Sequence, residues 1–83
     1  MRPPYAHMKV IKEILVGGSQ PLRIIYGVWK EMYDDKTCDR LPKKDFILNL
    51  LEDAEGKHII QIHEGPERRF EWIADPHIDP PFF

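Results

Sequence analysis

Apolar residues recur at helical spacing through most of the chain and switch to simple alternation near its end. The densest stripe lies in Ser19–Asp35, where Leu22, Ile25, Tyr26, Trp29, Met32 and Tyr33 fall on one face. Ile24 and Val28 widen the stripe, and only Arg23, Lys30 and Glu31 interrupt it. A helix this apolar needs neighbours on more than one side, so it is expected at the centre of the domain. Ser19 or Gln20 is the expected cap, and Pro21 suits a first turn, where a missing N–H costs nothing. Asp34, Asp35, Lys36 and Thr37 mark the end. Gly27 sits mid-helix at a cost of ~1 kcal/mol relative to Ala, which a close approach by a neighbouring helix would explain.

The flanking stretches supply the other elements. Over Tyr5–Val16, Met8, Ile11 and Leu15 share a face with Val10 and Ile14 beside them, and Gly17 and Gly18 offer the left-handed turn that ends many helices. A third helix is predicted over Pro42–Ala54. Phe46, Ile47, Leu50, Leu51 and Ala54 face inward, and Lys43, Lys44, Asp45, Asn49, Glu52 and Asp53 face outward. Leu48 falls towards the outer side. Glu55 and Gly56 stop this helix. Residues 57–63 and 68–74 then alternate around the loop Glu64-Gly65-Pro66-Glu67, which predicts a β-hairpin. An isolated hairpin is marginal in water, so its Ile60, Ile62, Phe70 and Trp72 face should pack on the helices. The expected class is α+β: residues 1–75 form one domain, and 76–83 are a proline-rich extended tail ending in Phe82 and Phe83.

Composition narrows the class without naming a function. The 83 residues are 42% hydrophobic and 31% charged, which suits one small globular domain. No apolar run approaches the length of a membrane span, and the N-terminal stretch lacks the apolar core of a signal peptide. A cytoplasmic protein is therefore expected, and the single Cys38 agrees, since it has no partner for an internal disulfide. The formal net charge of −2 weighs against a simple electrostatic nucleic-acid binder. A basic face can still coexist with an acidic remainder.

Three helices followed by a two-stranded hairpin, over about Tyr5–Ala74, resemble the winged helix-turn-helix superfamily. The stretches KEILVGGSQPL and DFILNLLEDAEGKHIIQI are similar to the LOTUS subgroup, in which a leucine-rich third helix precedes the wing. The resemblance implies that the third helix enters a DNA major groove and the wing lies along the adjacent backbone or minor groove. On this chain it makes Lys43, Lys44 and Asn49 the groove-facing residues. Lys57, Arg68 and Arg69 become the wing contacts to phosphate. Asn pairs with adenine, and Lys with guanine or phosphate. Asp45, Glu52, Asp53 and Glu55 depart from the pattern, because they repel a phosphate backbone. The leading expectation is a non-enzymatic regulator of transcription that binds double-stranded DNA, with a homodimer supplying two half-sites. The rival is a winged helix that binds protein and no nucleic acid, through Leu48, Phe82 and Phe83.

Other chemistry finds little support. His7, His58, His63, His77 and Cys38 lack the spacing of a metal site, so no metal and no cofactor is expected. Cys38 and Ser19 have no histidine and acid arranged beside them, and Gly17-Gly18 reads as a helix stop rather than a phosphate loop. An enzyme is not expected, and a small-molecule sensor ranks third for want of a recognisable site. Trp29 and Trp72 lie in apolar stripes and read as core rather than as base-stacking platforms.

Overall fold

The computed structural model describes residues 3–74, with side chains from His7 to Ala74. Its elements are helix α1 (Pro3–Leu15), strand β1 (Gln20–Pro21), helices α2 (Leu22–Asp34) and α3 (Lys44–Gly56), and strands β2 (Ile60–His63) and β3 (Arg69–Trp72). The three antiparallel strands lie in the order β1-β3-β2. This is a mixed α+β arrangement, compatible with a helix triplet carrying a hairpin wing. Residues 76–83, including Phe82 and Phe83, lie outside the described residues.

The core forms where the three helical stripes meet the inner face of the hairpin. Met8, Ile11 and Leu15 of α1, Ile25 and Trp29 of α2, and Ile47, Leu51 and Ala54 of α3 are buried together. Ile60, Phe70 and Trp72 close the group from the sheet. Trp29 is fully buried, and its Nε1–H donates to the carbonyl of Arg40 at 2.9 Å. That bond ties the connection between α2 and α3 to the centre of the domain. Cys38 and Leu41 of the same connection pack against the core as well.

Several local expectations change. Ser19 does not cap α2. The flanking residue is Pro21, extended at φ −77° and ψ 162°, with no side-chain cap. Gln20 and Pro21 instead pair with Phe70 and Arg69 as a short third strand. Ser19 takes two hydrogen bonds from Arg69, Nε to its Oγ at 3.1 Å and a terminal nitrogen to its carbonyl at 2.7 Å. A two-residue strand carries no alternation to read, and a proline serves it because an edge strand tolerates the missing donor. On α3 the inward face is rotated. Ile47, Leu51 and Ala54 are buried, Leu48 is partly buried against the core, and Phe46 is 43% exposed. The expectation of an outward Leu48 is thereby corrected, and Phe46 takes its place as the exposed apolar residue of this helix.

Helix ends show the same pattern twice. After α2, the N–H of Thr37 bonds to the carbonyl of Met32 and that of Lys36 to Tyr33. After α3, Ile59 bonds to Ala54 and His58 to Glu55. Both are Schellman closures, which require a left-handed residue between cap and following strand or loop. Lys36 and His58 occupy those positions, each at φ 62°. Gly56, expected to stop α3, is instead its last helical residue, and the left-handed turn falls two residues later. Ile59 is thus the apolar residue that packs back after the turn, buried beside Ala54.

Gly27 also departs from expectation, because a methyl group there would meet open space rather than a neighbouring helix. Glycine is therefore present where α2 has no use for it and missing where two helix ends favour it. Gly27→Ala should raise stability by ~1 kcal/mol in denaturant titration. His58→Gly should raise it by about 0.5–1 kcal/mol through relief of left-handed strain, less the added freedom of the unfolded chain. A loss in the first variant would mean that a neighbour fills the space beside Gly27, and a loss in the second that His58 makes contacts worth more than its strain.

Candidate nucleic-acid interface and an adjoining concavity

The six basic and amide residues expected to meet DNA do not form one uniform surface. Lys43 is the residue flanking α3, extended at φ −65° and ψ 152°, and gives no side-chain cap. Lys44 begins the helix with its Nζ 5.3 Å from the centre of the Tyr26 ring. Asn49 is exposed one turn further on. These three occupy the N-terminal cap and first half of α3, with Asp45 the one acid among them. The remaining three sit around the wing and are engaged within the chain. Lys57 pairs with Asp53 at 2.6 Å. Arg68 reaches Glu52 of α3 at 3.5 Å and Glu64 at 3.3 Å. Arg69 is held on Ser19, as above.

Sequence reasoning missed the pairing that orders the wing tip. Arg23 of α2 grips Glu67 with two nitrogens, at 2.7 and 3.2 Å. Glu67 thus ties the loop between β2 and β3 to α2, while Arg68 beside it ties the same loop to α3. Such exposed pairs each contribute about 0.2–1 kcal/mol, and together they fix where the loop lies. No spacing rule announces them, because Arg23 and Glu67 are 44 residues apart. On the outer face of the hairpin, His63 Nε2 meets Glu71 Oε1 at 2.7 Å, a cross-strand contact.

A second feature lies at the other end of α2. His7 is buried, and its ring meets both Trp29 and Phe46 edge to face, each at 5.6 Å between centres. Its helical spacing from Ile11 and Leu15 was the available sequence signal for that burial. His7, Tyr33, Asp39, Arg40, Leu41 and Pro42 line an open concavity. Burial, and then the Arg40 guanidinium, hold the His7 pKa below its usual 6.5. Among the described residues, no cluster of three His, Cys, Asp or Glu side chains is placed to hold a metal ion, and no helix is long and apolar enough to cross a membrane.

Comparison with protein-family models, with curated proteins and with solved structures gives no match.

The His7 environment has a direct consequence for stability. A histidine whose folded pKa is depressed takes up its proton more readily in the unfolded chain. Stability is then full above the unfolded pKa of 6.5 and declines as pH falls below it towards the folded value. Denaturant unfolding at pH 7.5 and 5.5 should show this decline, and His7→Phe should flatten it. An equally steep decline in the variant would assign the pH dependence to other groups.

Proposed function

We propose that this chain is a winged-helix module that binds double-stranded DNA without catalysing a reaction, and that the N-terminal half of α3 is its reading edge. The observation carrying this is the division of charge along α3. Lys43, just before the helix, and Lys44 and Asn49 in its first half are exposed. The acids Glu52, Asp53 and Glu55, which would repel phosphate, lie in its second half, and the first two are matched by Arg68 and Lys57. Recognition helices of this kind enter the major groove by their N-terminal residues. An exposed Asn there suits adenine, and the two lysines suit guanine or phosphate. The β1-β3-β2 order, with the hairpin following α3, supports the winged-helix assignment. Arg68 and Lys57 serve in this reading mainly to neutralise α3, and Arg69 to hold the sheet to Ser19. A homodimer would supply a second half-site, and regulation of transcription is the role that fits such a module.

A second reading has its own observation. Tyr33 and Phe46 are 44% and 43% exposed, and both border the concavity or the His7 ring within it. Exposed aromatics of this kind favour a protein partner. In that reading Phe46 and Tyr33 carry the contact in place of Leu48.

Few phosphates are within reach of the proposed edge, so binding should respond weakly to salt. With about two or three phosphate contacts, the logarithm of affinity should fall with the logarithm of salt at a slope of about −2 to −3. Fluorescence anisotropy on a labelled duplex measures this. Lys43→Ala/Lys44→Ala should weaken binding and flatten the slope. Glu52→Gln should strengthen it, since it removes an acid and leaves Arg68 with Glu64 alone as its partner among the described residues. Absence of any duplex binding at low salt would overturn the DNA reading in favour of the protein-binding one.

A further inference from the structure

The concavity beside α2 has a volume of about 560 Å³, within the size range of small-molecule sites. Its walls divide by chemistry. Tyr33, Leu41 and Pro42 offer apolar surface, with the Tyr33 ring about half exposed. Asp39 and Arg40 stand side by side with opposite charges, and neither side chain has an ion pair or hydrogen bond with any described residue. His7 lines the same space. It is 93% buried, its ring packs on Trp29 and Phe46, and its nitrogens make no hydrogen bond to a described residue.

The hollow is held in place from below. The carbonyl of Arg40 accepts from Trp29 Nε1 at 2.9 Å and from Cys38 Sγ at 3.4 Å. The main chain of the connection is thus fixed by the core, while the Arg40 side chain is left for other contacts. Charge selects the class of ligand. A group bearing one charge gains from Arg40 or Asp39 and is opposed by the other. A molecule carrying both charges on one small scaffold satisfies both, and any ring it carries can lie against the apolar wall.

We infer that this concavity binds a small aromatic zwitterion of the α-amino-acid type. Its carboxylate meets the Arg40 guanidinium, its ammonium meets Asp39, and its ring lies on Tyr33, Leu41 and Pro42. The neutral His7 imidazole provides a hydrogen bond to the polar end. The site uses none of Lys43, Lys44 or Asn49, so it stands or falls separately from the DNA reading.

Three probes of matched shape test this: L-phenylalanine, phenylpropanoate, which lacks the ammonium, and phenylethylamine, which lacks the carboxylate. Binding is read from NMR shifts of the Tyr33 and His7 rings, with the Trp29 indole resonance reporting an intact fold. L-Phenylalanine should bind at least about tenfold more tightly than either analogue, the scale of one lost charged hydrogen bond. Arg40→Ala should erase its advantage over phenylethylamine. Asp39→Asn should erase its advantage over phenylpropanoate. The inference is overturned if L-phenylalanine gives no shift at these rings up to its solubility. It is also overturned if the three probes bind alike, or if both variants keep the wild-type preference.

Discussion

The hydrogen bond from Trp29 to the Arg40 carbonyl is the contact on which the arrangement of this small domain depends. An indole is the largest side chain available to a core, and truncating one typically costs about 3–5 kcal/mol. Burying it also buries an N–H, which must find an acceptor. Here the acceptor is a loop carbonyl, so the burial that drives α1, α2 and α3 together also fixes the path between α2 and α3. The start of α3, the exposed face it presents and the hollow lined by His7 and Arg40 all follow from that path. Trp72 makes the contrast, since its buried Nε1 has no hydrogen-bond partner among the described residues. It packs on the sheet side of the core without positioning a loop.

Charge at the surface is organised by a related economy. A chain with a slight acidic excess presents a basic edge only if its acids are matched elsewhere. The hairpin and the residues before it do this: Arg68 and Lys57 pair with Glu52 and Asp53 of α3, and Glu67 takes up Arg23 of α2. Each pair is weak alone, yet their combined effect is to place the hairpin tip between the two helices. In the proposed reading these paired residues shape the basic edge, and base contact falls to the beginning of α3.

Much of the fold was legible because its signals are periodic. The helical stripes around Ile11, Trp29 and Leu51 located three helices to within about two or three residues at most ends, a normal uncertainty for fraying termini. The alternation through Ile60, Ile62, Phe70 and Trp72 located the hairpin and its inner face. What escaped were features without a period. The strand Gln20–Pro21 is too short to alternate, so Ser19 read as a cap when it serves as a partner for Arg69. The rotation of α3 exchanged the roles of Phe46 and Leu48, because Phe46, Ile47, Leu50 and Leu51 define a stripe wide enough to turn by one position. The left-handed turns at Lys36 and His58 carry no glycine to announce them. For the candidate site, residue types were readable but pairings were not, since Arg23 with Glu67 and Arg69 with Ser19 join distant parts of the chain.

The most direct test of this account is hydrogen exchange at the Trp29 indole N–H, followed by NMR with and without low denaturant. If the bond to Arg40 anchors the α2–α3 connection to the core, that proton exchanges only through global unfolding. Its exchange free energy should then match the unfolding free energy and fall with denaturant at the same slope. Fast exchange independent of denaturant would contradict the account. It would show a connection that opens locally, leaving neither the start of α3 nor the hollow beside it fixed by the core.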